Sequence, residues 1–345
     1  MRTLFFISHP AYFYFYKNII EEQKRKGYEV LVVARDKDIT IDLLNQYNIE
    51  HRTIKKPSKS LIGKVLELPY VDYKLYKLAK AFKPDVLTAA VGIHISQVGK
   101  LLNIPSLVFD DTEHAKYQLA LMKPFASVIC TPDCYLLEFG EKHVKFPGYK
   151  ELAYLHPNNF KPDPTVIKRL GLNEGERFFV LRFVSLTATH DMSEVGIGNK
   201  REIVDRLVKS GKVFISSEEP LSEELKKYEL NAPIHEMHSI LYYATMFLGE
   251  SATMSSEAAC LGTPAIFISE STRGYIEDLE KKYGLVFRFF GKNAENQALA
   301  KAEELLKDTS LEARCLDKKK TLLENKCDVT QWMLDFIDNF VQSNH

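Results

Sequence analysis

The chain has 345 residues, of which 45% are hydrophobic, and its 46 Lys and Arg residues balance its 46 Asp and Glu residues. A chain of this length predicts about two domains, each large enough for its own core. The balanced charge excludes a strong overall field of the kind that attracts nucleic acid or an acidic polymer. Five scattered cysteines form no standard metal-ligand pattern, which indicates reduced thiols in a cytoplasmic protein.

The amino terminus, MRTLFFISHPAYFYFY, is apolar but lacks a small-residue cleavage site, and His9-Pro10 interrupts it. We therefore expect a first core strand rather than a signal peptide. Apolar runs elsewhere stay well below the roughly 18 residues needed to cross a bilayer.

The first half of the chain alternates short apolar runs with amphipathic stretches. Such alternation predicts a parallel sheet with helices on both faces, a doubly wound α/β domain. Strands are predicted at residues 3–8, 28–34, 49–54, 85–90, 106–109 and 127–130, and helices at 12–26, 41–47, up to 82, and at 95–102.

Residues 147–164 carry four prolines and no clean periodicity, which is typical of a linker. The second half repeats the strand–helix pattern, with strands predicted at 178–185, 212–216, 234–237, 246–249, 265–269 and 285–289. The predicted domains are 1–150, a linker at 151–165, 166–328, and a final helix at 329–345 that is a candidate to cross back to the first domain. Two such sheets predict a ligand cleft at their carboxyl edges.

The stretch 245–270, TMFLGESATMSSEAACLGTPAIFISE, predicts a strand, a turn over 250–253, a helix over 254–261 and a second strand. Hydroxyls and N–H groups at the positive end of a helix suit a phosphate group, and Glu257 lies within reach of a ribose. An ordinary helix cap with serines is the alternative. The polar or small residues at this predicted helix start are Ser251, Ala252, Thr253, Ser255 and Ser256.

In the first domain, His9 follows the first strand and is a candidate base, or else a loop histidine bonded to backbone. Asp110, Asp111, Glu113 and His114 form the densest titratable cluster in the chain. Such groups shift one another's pKa values, as in catalytic sites, so we expect a base or an acceptor-binding role. Capping with solvated acids is the alternative, and no metal site is predicted.

In the second domain, Arg182 is a candidate phosphate ligand or half of a buried ion pair. His190 lies in a loop expected at the cleft. His238, after the predicted strand 234–237, is a further candidate for the cleft, and Arg273 is a candidate phosphate or sugar contact.

Five segments spread over nearly the full length carry a family resemblance, and they are HPAYFYFYKN, FDDTEHA, PGYKELAYLHP, LRFVSLTATHD and GESATMSSEAACLGTPA. Through them the chain resembles a prokaryotic family of GT-B-like proteins. GT-B proteins have two Rossmann-like domains facing a cleft, and this family is similar to the non-hydrolysing UDP-N-acetylglucosamine 2-epimerase and to the lipid-II-forming N-acetylglucosaminyltransferase.

The resemblance implies that Glu257 is the ribose-binding acid and that Ser251, Ala252 and Thr253 form the diphosphate turn, where the epimerase has two glycines. Thr189-His190 matches a Thr–His or Gly–His pair of the epimerase, whereas His9 replaces its nucleotide-binding arginine. The acidic element with an Asn–Arg pair in the epimerase and the glycine-rich acceptor loop of the transferase have no counterpart here.

The resemblance implies a glycosyltransferase that uses a nucleotide diphosphate sugar, a UDP-sugar above all, in surface polysaccharide or glycoconjugate synthesis. The implied partners are the donor and a carbohydrate or lipid-linked acceptor, with no separate cofactor. A sugar-nucleotide 2-epimerase and a non-catalytic binding protein are the alternatives. A dehydrogenase is disfavoured because no G-x-G-x-x-G follows either first strand. The lysines of residues 55–64, with Tyr70, Tyr73 and Tyr76 nearby, suggest peripheral membrane contact or else a solvated loop.

Overall fold

The computed structural model describes residues 1–37, 39–55, 67–113, 115–184 and 197–344. The chain divides into two compact units. Unit 1 comprises Met1–Tyr154 and Cys327–His345, and unit 2 comprises Leu155–Lys326. The predicted site residues His114 and His190, and most of the lysine loop 55–64, lie outside the described residues.

The sheet of unit 1 has seven parallel strands in the described residues, in the order β3-β2-β1-β4-β5-β6-β7. The order reverses between β1 and β4, which makes the carboxyl ends of these two strands the switch point of the sheet. The strands are β1 Arg2–Ile7, β2 Glu29–Arg35, β3 Arg52–Ile54, β4 Val86–Ala90, β5 Ser106–Phe109, β6 Val128–Pro132 and β7 His143–Phe146.

Helices cover this sheet because their apolar faces pack onto its buried side chains. The C-terminal helix, Val329–Ser343, also belongs to unit 1 and packs against the first helix. Its Thr330 hydroxyl donates to the carbonyl oxygen of Ala153 at 2.6 Å. The other helices of unit 1 are α1 Pro10–Arg25, α2 Thr40–Gln46, α3 Glu67–Phe82, α4 Ile93–Leu102, α5 Lys116–Met122 and α6 Leu152–Leu155, whose last residue lies in unit 2.

The sheet of unit 2 has five parallel strands in the described residues, in the order β12-β11-β10-β8-β9. Its order reverses between β8 and β10, so its switch point lies at the carboxyl ends of those strands. The strands are β8 Phe178–Phe183, β9 Lys212–Ser217, β10 Met246–Gly249, β11 Ala265–Ile268 and β12 Val286–Phe289. The helices are α7 Thr165–Arg169, α8 Lys200–Leu207, α9 Met237–Tyr243, α10 Ala252–Leu261, α11 Gly274–Asp278, α12 Ala294–Lys307 and α13 Leu311–Asn325.

Two glycines fix the segment around α10. A Cβ atom on Gly249 would lie 2.4 Å from the carbonyl oxygen of Arg182, so β10 approaches β8 closely only with glycine there. Gly262 ends α10 with φ +88°, the left-handed conformation expected at a helix stop.

The predicted fold class is confirmed, since both units are parallel α/β sheets covered by helices. The strand predicted at 234–237 is wrong. Its residues form a 3-10 turn at Ile234–Glu236 and the first residue of α9. The two apolar residues of this stretch, Ile234 and Met237, are three positions apart, which is a helical spacing and not the alternation of a half-buried strand. Among the described residues, no helix is both long and apolar enough to cross a membrane.

Candidate functional site

The start of α10 lies at the switch point of unit 2. Ser251 is its N-cap, and the Ser251 hydroxyl oxygen accepts a hydrogen bond from the Met254 N–H at 3.3 Å. The N–H groups of Ala252 and Thr253 have no acceptor within the helix, because the first turn of a helix lacks preceding carbonyls. Their position at the positive end of the helix dipole suits a phosphate group.

The helix begins at Ala252, two residues earlier than the sequence predicted, and this changes the role of its serines. The Ser255 hydroxyl donates to the Ser251 carbonyl oxygen, and the Ser256 hydroxyl donates to that of Thr253, each at 2.9 Å. Both serine side chains are fully buried, whereas Ser251 and Thr253 are partly exposed. A ligand at this helix end would therefore meet the first two residues and the cap.

Glu250, between β10 and the cap, was not singled out by sequence reasoning. Its carboxylate accepts from the N–H of Val184 at 3.0 Å and from that of Ile197 at 2.6 Å. These two residues flank the segment 185–196, which lies outside the described residues. Burial raises the pKa of Glu250. The only sequence signal for this anchor is an acid placed directly after a buried strand.

Glu257 and His238, both predicted for the donor site, are brought together by α10 and α9. His238 Nε2 lies 3.1 Å from Glu257 Oε1, and each residue is 7% exposed. A carboxylate only accepts, so the imidazole N–H is the donor. Phe160 lies against the edge of the imidazole, at 6.2 Å between ring centres. This packing fixes the direction of the Glu257 side chain.

Two arginines belong to the strands beside β10 or to the loop that follows one of them. Arg182, on β8, donates to Ser216 Oγ at 2.8 Å and to Glu218 Oε1 at 2.6 Å. The contact with Glu218 is an ion pair, the alternative to a role as phosphate ligand. Arg273 follows β11 and directly precedes α11, and its Nη1 donates to Ser271 Oγ at 3.0 Å. Within the described residues Arg273 belongs to no ion pair, so it is the cation better suited to a phosphate group.

His9 lies at the switch point of unit 1, where it is the N-cap of α1. Its Nδ1 accepts from the Ala11 N–H at 3.2 Å, so the proton of the neutral ring resides on Nε2. This ring would donate a hydrogen bond to a ligand from Nε2 rather than accept a proton. At the adjacent end of β4, Val91 has φ +50°, an unfavourable conformation for a β-branched residue.

Asp110 and Asp111 point into the protein at the carboxyl end of β5. The Tyr135 hydroxyl donates to Asp110, and burial, the main cause, raises the pKa of Asp110 to about 8. Lys150 Nζ donates to Asp111 Oδ2 at 2.5 Å, and the side chains of Asp110, Asp111 and Lys150 are all buried. The cavity that the two aspartates border has a volume of about 10 Å³, room for about one water molecule.

Glu113, the remaining candidate of unit 1 that the structure describes, is also engaged. Its Oε1 accepts from the Leu136 N–H at 3.4 Å. His94, which follows β4, also has a partner, since its Nδ1 lies 2.6 Å from Asp72 Oδ1. Sequence reasoning missed Tyr135 and Lys150, the partners of the aspartates, because they lie 25 and 39 residues away in the chain.

A larger cavity of unit 2, about 920 Å³, lies at the amino edge of its sheet. Phe178, Thr245 and Pro264, which line it, are at or just before the first residues of β8, β10 and β11. Open α/β sheets bind ligands at their carboxyl edge. We therefore place the candidate site at the start of α10 and not in this cavity.

Comparison with solved structures identifies the class of fold. The UDP-GlcNAc 2-epimerase of Neisseria meningitidis, solved with UDP-GlcNAc bound, aligns with a TM-score of 0.66 at 15% identity, over 94% of this chain and 99% of the other. Spinosyn forosaminyltransferase SpnP aligns with a TM-score of 0.65 at 13% identity, over 99% of each chain. The chain therefore has the GT-B fold, as the resemblance implied.

The chain belongs to the family described as "Protein of unknown function (DUF354)", whose model matches residues 5–336. This confirms the prokaryotic family of GT-B-like proteins to which the sequence motifs pointed. One relative of the chain is "Uncharacterized protein MJ0665" of Methanocaldococcus jannaschii. It is 24% identical over 270 residues, which cover 75% of this chain and 79% of that protein.

Proposed function

We propose that the protein is a GT-B glycosyltransferase that binds a UDP-sugar at the start of α10 in unit 2 and transfers the sugar to an acceptor bound by unit 1. The observation that supports this most directly is the position of α10. Its open N–H groups lie at the carboxyl end of β10, at the switch point of a parallel sheet. The GT-B fold shared with a forosaminyltransferase supports the same assignment.

The donor's diphosphate would accept hydrogen bonds from the N–H groups of Ala252 and Thr253 and from the Ser251 hydroxyl. Arg273, after the neighbouring strand, would supply positive charge. In the reaction, the acceptor oxygen forms a bond to the anomeric carbon while the bond from that carbon to the diphosphate oxygen breaks. The acceptor proton passes to a base. The helix dipole stabilises the negative charge that develops on the departing diphosphate.

Glu257 would accept hydrogen bonds from the ribose hydroxyls of the donor. Its contact with His238 holds the carboxylate in one direction, so less side-chain freedom is lost when the nucleotide binds. His9, on unit 1, would donate from Nε2 to an oxygen of the acceptor bound by that unit.

The site assignment is tested by calorimetric titration of UDP into the wild type and a Glu257→Ala variant. Hydrogen bonds to a charged group contribute about 1.5–3 kcal/mol, so we expect the affinity to fall by about tenfold to a hundredfold. Glu312→Ala, at an exposed glutamate of α13, is the matched control and should bind UDP normally. Glu257→Gln, which keeps an acceptor for His238, shows whether any loss follows from local unfolding. Unchanged affinity in Glu257→Ala with an intact fold would remove the assignment.

A sugar-nucleotide 2-epimerase is the second candidate, supported by the fold shared with the N. meningitidis enzyme. An epimerase needs no acceptor. Incubation with UDP-N-acetylglucosamine alone, followed by proton NMR, therefore separates the two functions. The glycosyltransferase proposal expects an inert donor, and formation of the C2 epimer would replace it with the second candidate.

A non-catalytic binding protein is the third candidate. It is supported by the protein partners of His9, Asp110, Asp111 and Glu113, each of which is already engaged within unit 1. Thermal-shift measurements with UDP-, GDP- and CDP-sugars test whether a donor binds. Assays of sugar transfer to acceptors test whether the bound donor reacts. Donor-dependent stabilisation with turnover supports the transferase, and stabilisation without turnover of any donor supports the binding protein.

A further inference from the structure

The helices α3, α4 and α5 pack side by side in one layer over the sheet of unit 1. Their buried residues belong to a single apolar core with the strands. His94 Nδ1 on α4 lies 2.6 Å from Asp72 Oδ1 on α3, and this contact joins the two helices. Because the inner sides of the three helices face the sheet, their outer sides form one surface that faces solvent.

This outer surface exposes large apolar side chains. Tyr117 is 90% exposed, Leu101 71% and Tyr73 54%. Leu121 and Phe125 add to them, so five of the eleven exposed large hydrophobic residues in the described part of the chain lie here. Single exposed hydrophobic residues are ordinary, but a group of this kind on one surface indicates a partner.

The same surface is positively charged, although the whole chain is neutral. Its two acids in α3 are engaged, Glu67 with Arg35 and Asp72 with His94. Neither α4 nor α5 contains an acidic residue. Within the described residues, the exposed lysines on or just after these helices belong to no ion pair, and they are Lys74, Lys77, Lys80, Lys83, Lys100, Lys116 and Lys123.

Three of these lysines lie over tyrosine rings on α3. Lys77 Nζ lies 4.9 Å from the ring centre of Tyr73. Lys74 lies over Tyr70 and Lys80 over Tyr76 in the same way, so the three pairs follow one another at intervals of three residues along α3. Tyrosine rings favour the boundary between apolar and polar phases, and lysine stems extend along apolar matter with the ammonium group in water. A helix surface with both therefore matches the headgroup region of a bilayer.

We propose that the outer surface of α3, α4 and α5 binds an anionic lipid bilayer. The lysines would contact lipid phosphates, while Tyr73, Leu101 and Tyr117 would enter the headgroup region. The proposal goes beyond the sugar-transfer function and does not rest on it. It keeps the tyrosines of the contact suggested by the sequence, Tyr70, Tyr73 and Tyr76, but replaces the lysines of residues 55–64 with those of α3, α4 and α5.

Flotation of the full chain with vesicles tests the proposal. We expect binding to vesicles of phosphatidylcholine with phosphatidylglycerol, and none to phosphatidylcholine alone. Each lysine near an anionic surface contributes about fivefold to affinity, so the variant Lys77→Gln/Lys100→Gln/Lys116→Gln should bind about a hundredfold more weakly. The matched control, Lys168→Gln/Lys209→Gln/Lys320→Gln, removes three exposed lysines of unit 2 and should bind as the wild type.

A second variant, Tyr117→Ser/Leu121→Ser, separates insertion from charge attraction. Both side chains are exposed, so the fold should persist, and we expect binding that raised salt abolishes more readily than in the wild type. Equal binding to both vesicle types, or equal loss in the two lysine variants, would overturn the proposal. Binding of nucleic acid through these lysines without vesicle binding would also overturn it.

Discussion

The carboxyl edges of the two sheets have the same topological origin but different chemistry. In unit 2, the edge presents the open start of α10, with the cap residue Ser251 and the side chain of Thr253 partly exposed. In unit 1, Asp110 and Asp111 are buried and bonded to Tyr135 and Lys150. A dense group of titratable residues at a strand end therefore need not face a ligand. A helix start with few charges can be the better binding site.

The largest effect should come from breaking the buried pair of unit 1. Lys150→Met leaves Asp111 charged and without its cation, and we expect a loss of about 3–5 kcal/mol in the free energy of unfolding. Urea unfolding measures it. The exposed pair Lys281–Glu277, at 2.7 Å, is the matched control, and Lys281→Met should cost about 0–1 kcal/mol. Similar losses in the two variants would contradict the structural role given to Lys150.

The double variant Asp111→Asn/Lys150→Met tests whether the loss of stability comes from the unpaired charge of Asp111 or from lost packing of the lysine. It removes the charge of Asp111 but not that of the buried Glu151, whose Oε1 also lies 3.7 Å from Lys150 Nζ, so it should recover part of the stability lost in Lys150→Met. A double variant no more stable than Lys150→Met would show that the lysine acts through packing instead.

The second-largest effect is the pH dependence of the folding stability, to which Asp110 contributes. Its pKa is raised from 3.8 to about 8 in the folded state, so between those values the folded state binds more protons than the unfolded state. Stability therefore falls as pH rises, by about 1.4 kcal/mol per pH unit from this group. Asp110→Asn removes the ionisation, and its stability should fall less steeply. Urea unfolding at several pH values between about 5 and 8 checks this, and parallel pH profiles would contradict it.

The smallest effect should come from the cap of α10 in unit 2. Ser251→Ala removes the acceptor for the Met254 N–H and should cost about 1 kcal/mol of stability, whereas Ser251→Gly should cost only a few tenths. Thermal melting measures both. If the Ser251 hydroxyl also contacts the diphosphate, the two variants should lose UDP affinity to a similar degree. Affinity that follows stability instead would limit Ser251 to capping.

The strands of both sheets were largely predictable because buried parallel strands are continuous apolar runs, as in residues 28–34 and 246–249. Where this signal is weak, prediction failed. β7, with sequence HVKF, is four residues long and carries polar side chains, and it was missed. Residues 234–237, with apolar side chains only at the two ends, predict a strand but form a 3-10 turn that leads into α9.

The candidate site was predictable only in part. The sequence placed a helix with Ser251 and Glu257 after β10, since Gly249, Gly262 and Pro264 mark its boundaries. It did not reveal that the Ser255 and Ser256 hydroxyls donate to backbone carbonyl oxygens at the start of the helix, because those hydrogen bonds depend on where the first turn begins. Partners such as Lys150 and His238 are set by tertiary packing, which local patterns do not encode.

The most direct test is a crystal structure of the protein with UDP. We expect diphosphate oxygens within hydrogen-bond distance of the N–H groups of Ala252 and Thr253, and a ribose hydroxyl at the Glu257 carboxylate. UDP bound instead in the 920 Å³ cavity at the amino edge of unit 2, or no UDP bound at saturating concentration, would contradict the account.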